Sequence, residues 1–262
     1  MRDEQQHAHN ESIVSQFTKQ AASFAKMKEH SNEDEFELMY SLTKINSDDN
    51  VLDVACGPGI VACALARVAR HVTGIDITPA MIEQAKLLQT EKGLSNVTWK
   101  VGDANPLPYK DSTFSLVVTR YSFHHFLDPR SVLYEMKRVC APGGRVVVID
   151  VTPPEGKADA YNRMEKLRDS SHARAMPLAE LQGMVEKAGF TELETGFYKL
   201  DVDLEKILNA TLTKPKDAEE VRRLFADDLK TGSLGVGSYL KEGKVRFAFP
   251  ITIIVGRKKK SV

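Results

Sequence analysis

Apolar positions along the chain fall into two rhythms. Ile13, Phe17, Ala21 and Phe24 recur at steps of three and four, which predicts an amphipathic helix from Asn10 to about Lys28, capped by Asn10 or Ser12. A second helix is expected over 33–43. Short apolar runs then alternate with helical stretches: strands at 51–55, 71–76, 97–101, 114–119 and 145–150, with helices at 60–68, 79–92 and 129–139 between them. Alternation of this kind predicts βαβ units and a parallel sheet covered on both faces. The rhythm breaks after Asp150. Residues 152–176 are polar and partly helical, 178–188 resume as a helix, and 191–203 read as a strand. Residues 204–230 are mostly helix before a glycine-rich turn, and 245–255 form a last strand that follows another strand-like stretch. The expectation is therefore an α/β fold, with a doubly wound, mostly parallel sheet of seven strands that ends on an antiparallel one. Residues 1–45 form a helical cap and 46–150 the core; 151–177 and 204–244 are lid insertions, and 178–203 with 245–262 complete the sheet.

Composition narrows the partners. The 262 residues carry 36 Lys plus Arg against 36 Asp plus Glu, so the formal net charge is zero. Proteins that live on phosphate contacts usually show a basic excess or stripe, and the one dense basic run here is 257–260. Small partners are expected, and no nucleic acid. No apolar run reaches the roughly 20 residues that span a bilayer. Cys56, Cys63 and Cys140 form no CxxC pair, and the first residues are polar, so a cytoplasmic location is expected. His7, His9, His30 and His71 have no metal-like spacing with carboxylates or cysteines, and no metal site is expected.

The chemistry concentrates in Asp53-Val54-Ala55-Cys56-Gly57-Pro58-Gly59, where a strand delivers the chain to glycines that open a helix. Backbone N–H groups there can approach a ligand closely, outside the carboxyl ends of the strands where such folds bind nucleotides. The glycines do not name the ligand. Gly57-x-Gly59 with Ala62, and Asp76 roughly 20 residues on, also satisfies the dinucleotide pattern of an NAD-dependent oxidoreductase. Three details decide against that reading. Asp53 would crowd a pyrophosphate but suits a cationic ammonium and sulfonium. Gly102-Asp103-Ala104 follows the third strand, where an acid and a backbone amide can read an adenine edge. The closing apolar run 247–255 suits an added antiparallel strand better than a second dinucleotide half.

These marks resemble the class I S-adenosylmethionine (SAM)-dependent methyltransferases, in particular the ubiquinone/menaquinone-methyltransferase-like group of bacterial small-molecule enzymes. The resemblance runs over nearly the whole chain, through 51–59, Asp76, Gly102-Asp103-Ala104, 120–126 and 133–144. The stretch 167–174 is similar to a subgroup of uncharacterised bacterial members. The resemblance implies a Rossmann-like fold that takes SAM and leaves S-adenosylhomocysteine, and it implies site roles. Asp53 and the loop Ala55, Cys56, Gly57 and Gly59 would hold the methionine part. Asp76 would accept both ribose hydroxyls. Ile77 and Met81 would flank the adenine, with Asp103 and Ala104 after Gly102 on its edge. Thr119 and Arg120 would sit beside the sulfonium, and Phe17 and Phe24 would close over it. Cys56 departs from the glycine many relatives carry.

His124 or His125 at the fourth strand's end is a candidate general base, because imidazole titrates near working pH. Tyr121 is a further candidate, and a packing role is the alternative for all three. His172, with Arg168 and Asp169, could touch substrate or form an internal ion-pair cluster. Strand four runs into Thr119-Arg120-Tyr121, without the Asp/Asn-Pro-Pro-Tyr loop of amino-methylating enzymes. The expected acceptor is a small aromatic or hydrophobic metabolite, with Phe123, Phe126, Met164 and Phe197 as wall residues. A SAM-binding module without catalysis is the remaining alternative.

Overall fold

The computed structural model describes residues 2–24 and 33–260. Helices α1 (Arg2–Phe24) and α2 (Glu33–Thr43) precede the sheet. Five strands then run parallel: β1 (Asn50–Val54), β2 (His71–Asp76), β3 (Val97–Val101), β4 (Phe114–Arg120) and β5 (Cys140–Val151). Between them lie α3 (Ile60–Leu65), α4 (Pro79–Glu91) and α5 (Pro129–Val139). The second half adds α6 (Ala158–Arg168), α7 (Leu178–Lys187), β6 (Phe190–Asp203), α8 (Leu204–Ala210), α9 (Pro215–Thr231), β7 (Tyr239–Lys241) and β8 (Lys244–Lys258).

The strand order is β3-β2-β1-β4-β5-β8-β6, with β7 folded back onto β8. Chain order reverses at β1, between β2 and β4, so the crevice of a doubly wound sheet opens above the tip of β1. β8 is antiparallel to both β5 and β6, as the closing apolar run predicts. The expected seven strands become eight among the described residues. Residues 239–241 were assigned to an insertion, but they pair with the start of β8 through a turn in which Glu242 and Gly243 both take positive φ. Two further boundaries differ. α1 begins eight residues earlier than the apolar spacing predicts, because residues 2–9 form polar turns that carry no apolar stripe, and its expected end at Lys28 lies outside the described residues. The mostly helical 204–230 is broken at 211–214, ahead of Pro215.

The sheet is buried on both faces, and the period of two decides which residue goes where. Val51, Val118, Val147 and Ile149 enter one core layer, while Leu52, Val117, Val146 and Val148 enter the other. Arg145 in β5 ties the sheet to the end of α2: it donates to the Thr43 and Lys44 carbonyls and pairs with buried Asp49. No described helix is long and apolar enough to cross a membrane.

Candidate active site

At the tip of β1 the chain turns sharply, with positive φ at Ala55, Gly57 and Gly59. The turn is held from below by β2, whose Ile75 carbonyl accepts the Cys56 N–H at 3.0 Å. Asp76 ends β2 and fixes two loops at once, accepting Gly57 N–H at 2.9 Å on Oδ2 and Thr78 N–H at 2.8 Å on Oδ1. Each oxygen keeps a further lone pair for a ligand. Burial raises the Asp76 pKa, partly offset by those backbone donors.

Asp53 is the unusual group. It is 1% exposed, its Oδ2 has no hydrogen-bond partner, and burial pushes its pKa up to about 7 against the pull of Arg120. An unpartnered buried carboxylate oxygen costs free energy until a donor or a cation reaches it. Arg120, the last residue of β4, lies between Asp53 and a second buried acid. Glu35 of α2 is 3.8 Å from the guanidinium, too long for a hydrogen bond, and is likewise pushed up to about 7 by burial. The guanidinium rests on the Phe36 and Tyr121 rings, and the Tyr121 hydroxyl bonds Tyr198 at 2.7 Å.

Asp53, Asp76, Arg120 and Tyr121 line one cavity of about 1220 Å³, counting its open mouth. Of the residues expected from sequence, Asp53, Ala55, Cys56 and Gly57 form its floor. Asp76, Ile77 and Met81 form one side, Gly102, Asp103 and Ala104 the next, and Arg120, Tyr121 and His125 the β4 end, with Phe17 above. Three expected residues stand elsewhere, and a fourth is not described. Gly59 is packed underneath, where a Cβ would lie 2.6 Å from the Trp99 ring. Thr119 turns its hydroxyl into the sheet, donating to the Val54 carbonyl at 2.8 Å and accepting from Ser122. His124 is drawn away from the cavity by Asp150, which accepts its Nδ1–H at 2.6 Å. The Phe24 side chain lies outside the described residues. Among the expected wall residues, Phe126 lines the cavity. Phe123 and Met164 are core, and Phe197 is 60% exposed on β6.

Sequence reasoning missed most of the roof. α1 lies over the cavity, where Gln6 donates to Asn10 and Asn10 donates to Asp103 Oδ2 at 2.7 Å. His9 donates to the His125 carbonyl at 2.7 Å, and Gln16 and Gln20 both donate to the Thr211 carbonyl. None of these polar residues carries a motif, and their partners are distant in the chain. His172, Arg168 and Asp169 stand in an internal cluster: Glu165 accepts from Arg168, and His172 Nε2 pairs with Asn162 at 2.8 Å. Among the described residues no group of three or more His, Cys, Asp or Glu is placed to hold a metal.

Comparison with known proteins gives this geometry a family. A methyltransferase-domain family model matches residues 52–148. The uncharacterised methyltransferase YcgJ of Bacillus subtilis is 33% identical over 170 residues, which is 64% of this chain and 67% of that protein. Its crystal structure superposes with a TM-score of 0.80, at 25% identity, over 88% of this chain and 100% of that one. The chain belongs to the class I methyltransferases.

Within them this methyltransferase falls in the ubiquinone/menaquinone-methyltransferase-like group. The C-methyltransferase UbiE of Desulfotalea psychrophila is 42% identical over 106 residues, although the match spans only 40% of this chain and 42% of that one. A Haemonchus contortus phosphoethanolamine N-methyltransferase solved with SAM shares the fold at 15% identity, with a TM-score of 0.62 over 87% of this chain and 53% of that one. SAM is the cofactor of this methyltransferase, and the dinucleotide reading is set aside.

The residues present fit SAM. The orphaned Asp53 oxygen suits the ammonium of the methionine part, and the spare lone pairs of Asp76 suit two ribose hydroxyls. A Cβ on Gly57 would meet nothing within 4 Å, so the loop leaves open space where a ligand must pass close to backbone. Gly57→Ala is expected to weaken SAM binding at least tenfold, because its methyl would stand in that space. Its left-handed φ should cost the free protein only about 1–2 kcal/mol. Calorimetric titration with SAM beside a thermal melt separates the two effects.

Proposed function

We propose that this methyltransferase moves the methyl group of SAM to a small-molecule acceptor by direct displacement inside the cavity beneath α1. SAM supplies an activated methyl on a sulfonium. The protein's part is to align donor and acceptor, which is worth roughly 7–11 kcal/mol of barrier, and to keep water out. The observation that carries the reading is the buried, partnerless oxygen of Asp53, a residue in the lining of a cavity that also carries the apolar side chains of Ile13, Phe17, Phe126 and Val132. The Thr211 carbonyl, at the end of α8, anchors α1 over the mouth, so 204–244 would serve as part of a lid. The balanced charge favours a small acceptor over nucleic acid, and a cytoplasmic setting suits three unpaired thiols, all buried.

Incubation with labelled SAM and a metabolite extract should yield S-adenosylhomocysteine and a labelled product identifiable by mass. A protein that binds SAM yet turns over no extract would be the non-catalytic module. One that binds NAD in place of SAM would refute the assignment.

A further inference from the structure

His125 is the imidazole that faces the cavity, and its hydrogen bonds fix its tautomer. Nδ1 lies 3.1 Å from the Ser171 carbonyl oxygen and 3.2 Å from Ser171 Oγ. The carbonyl can only accept, and the Ser171 hydroxyl gives its own proton to Asp169 Oδ1 at 2.5 Å. Neither partner can donate to the ring, so in neutral His125 the proton sits on Nδ1 and Nε2 carries a bare lone pair. Among the described residues that Nε2 has no hydrogen-bond partner, and His125 lines the cavity beside the β4 tip. The arrangement is rigid. The His125 N–H is held by the Ser122 carbonyl, its carbonyl by His9, and its ring meets the Phe17 ring edge-on at 5.1 Å.

We infer that His125 is the general base of the reaction, oriented by Ser171 and Asp169, and that the acceptor is an un-ionised hydroxyl on a flat apolar ring, methylated at oxygen. The inference rests on the methyl-transfer reading above. A carboxylate acceptor arrives ionised and a neutral amine attacks with its own lone pair, so neither needs a base at the moment of attack. An aromatic hydroxyl, with an ordinary pKa of about 10, does need one, and lies within reach of an imidazole where an alkanol does not. The apolar walls Ile13, Phe17, Phe126 and Val132 suit such a ring. As the acceptor oxygen bonds the methyl carbon, its proton passes to His125 Nε2, and the carbon–sulfur electron pair goes to sulfur. The imidazolium that results keeps Nδ1–H on Ser171, with Asp169 behind it. It later returns its proton to water.

The neighbours of His125 keep the ring neutral before reaction, which leaves Nε2 free to accept a proton but makes it a weaker base than a free imidazole. Burial, and then the adjacent His124 ring at 4.2 Å, keep His125 below the usual imidazole range, against the pull of Asp169 and Asp150. In His124 burial is outweighed by Asp150, and its pKa is raised. His172, 5.5 Å from His124, is held low by burial and its cationic neighbours.

The test uses the full chain with radiolabelled SAM and two probes, phenol and 4-nitrophenol, at about pH 8, where the second is mostly phenolate and the first is not. His125→Asn keeps a donor toward Ser171 and removes Nε2. It should lower kcat on phenol by about 10²–10⁴-fold and on 4-nitrophenol by less than about tenfold, with the Kd for S-adenosylhomocysteine changed less than about threefold. Ser171→Ala, which leaves the base in place but loosens it, should show the same skew toward the ionised probe at smaller size, and it carries the test if His125→Asn does not fold. Equal losses on both probes would overturn the base. So would methylation of neither probe while SAM still binds, which overturns the acceptor class. Failure to bind SAM at all would instead strike the methyl-transfer reading.

Discussion

Asp53→Asn is expected to make the ligand-free protein more stable at about pH 8 while removing most of its affinity for SAM. The Asp53 carboxyl moves from 3.8 to about 7 on folding, so ionising it in the native state costs about 4 kcal/mol more than in the unfolded chain. The sign follows from linkage. A pKa raised by folding adds stability below the unfolded value, and that stability is lost as pH climbs through the folded value. Wild type should therefore lose stability between about pH 4 and 7 on this account, and the asparagine variant should lose less. The amide leaves unsatisfied donors of its own, worth about 1–3 kcal/mol, so the net gain at about pH 8 is about 1–3 kcal/mol, or several degrees of Tm. The gain should pass through zero as the pH falls and become a loss of about 1–3 kcal/mol near pH 4, where the carboxyl of the wild type is protonated and only the cost of the amide remains. Melting curves across that range, beside calorimetry with SAM, measure both halves. A variant that is less stable than wild type at every pH, or that binds SAM undiminished, would show that Asp53 is not a strained ligand-facing acid.

Gly59→Ala should be the opposite case, a change in the fold that touches no ligand. Gly59 sits at φ +80 as the N-cap of α3, where an L-residue costs about 1–2 kcal/mol. Its new methyl would also meet the Trp99 ring at 2.6 Å and Ala85 Cβ at 2.8 Å. Trp99 cannot swing aside freely, because its ring N–H is fixed at 2.6 Å to Gln89. Overpacking adds about 1–3 kcal/mol, for a total loss of about 2–5 kcal/mol. At a temperature where the variant is still folded, its SAM affinity should be close to wild type. Denaturant unfolding and titration on the same sample check this, and a stable variant with weak binding would return Gly59 to the cavity wall.

The contrast between the two glycines shows where the sequence was legible. β5 was found because a strand buried on both faces leaves an unbroken apolar run, Val146 to Ile149, and Asp53, Gly57 and Asp76 because they stand at or just beyond strand tips. Gly59 looked identical to Gly57 in a motif, since nothing local reveals that Trp99, 40 residues on, packs beneath it. His124 and His125 were inseparable for the same reason. Which one faces the cavity depends on Asp150 and Ser171, contacts made only when the chain has folded. Residues 239–241, too short and too exposed to carry an alternating pattern, were missed as a strand. The polar roof of α1 was missed as well, because Asn10 is ordinary until Asp103 stands opposite it.

β8 lies between β5 and β6, bonded to β6 between 246 and 258 and to β5 between 251 and 257. Biosynthesis therefore produces two bare strand edges before it makes the piece that covers them. Until residues beyond 244 have emerged, the growing chain presents unpaired backbone on β5 and β6 with apolar side chains alongside, the combination that invites pairing with a neighbour. Folding of this sheet cannot be completed in step with translation, and a chaperone that shields the nascent edges would be needed longest for this protein's middle, not its end.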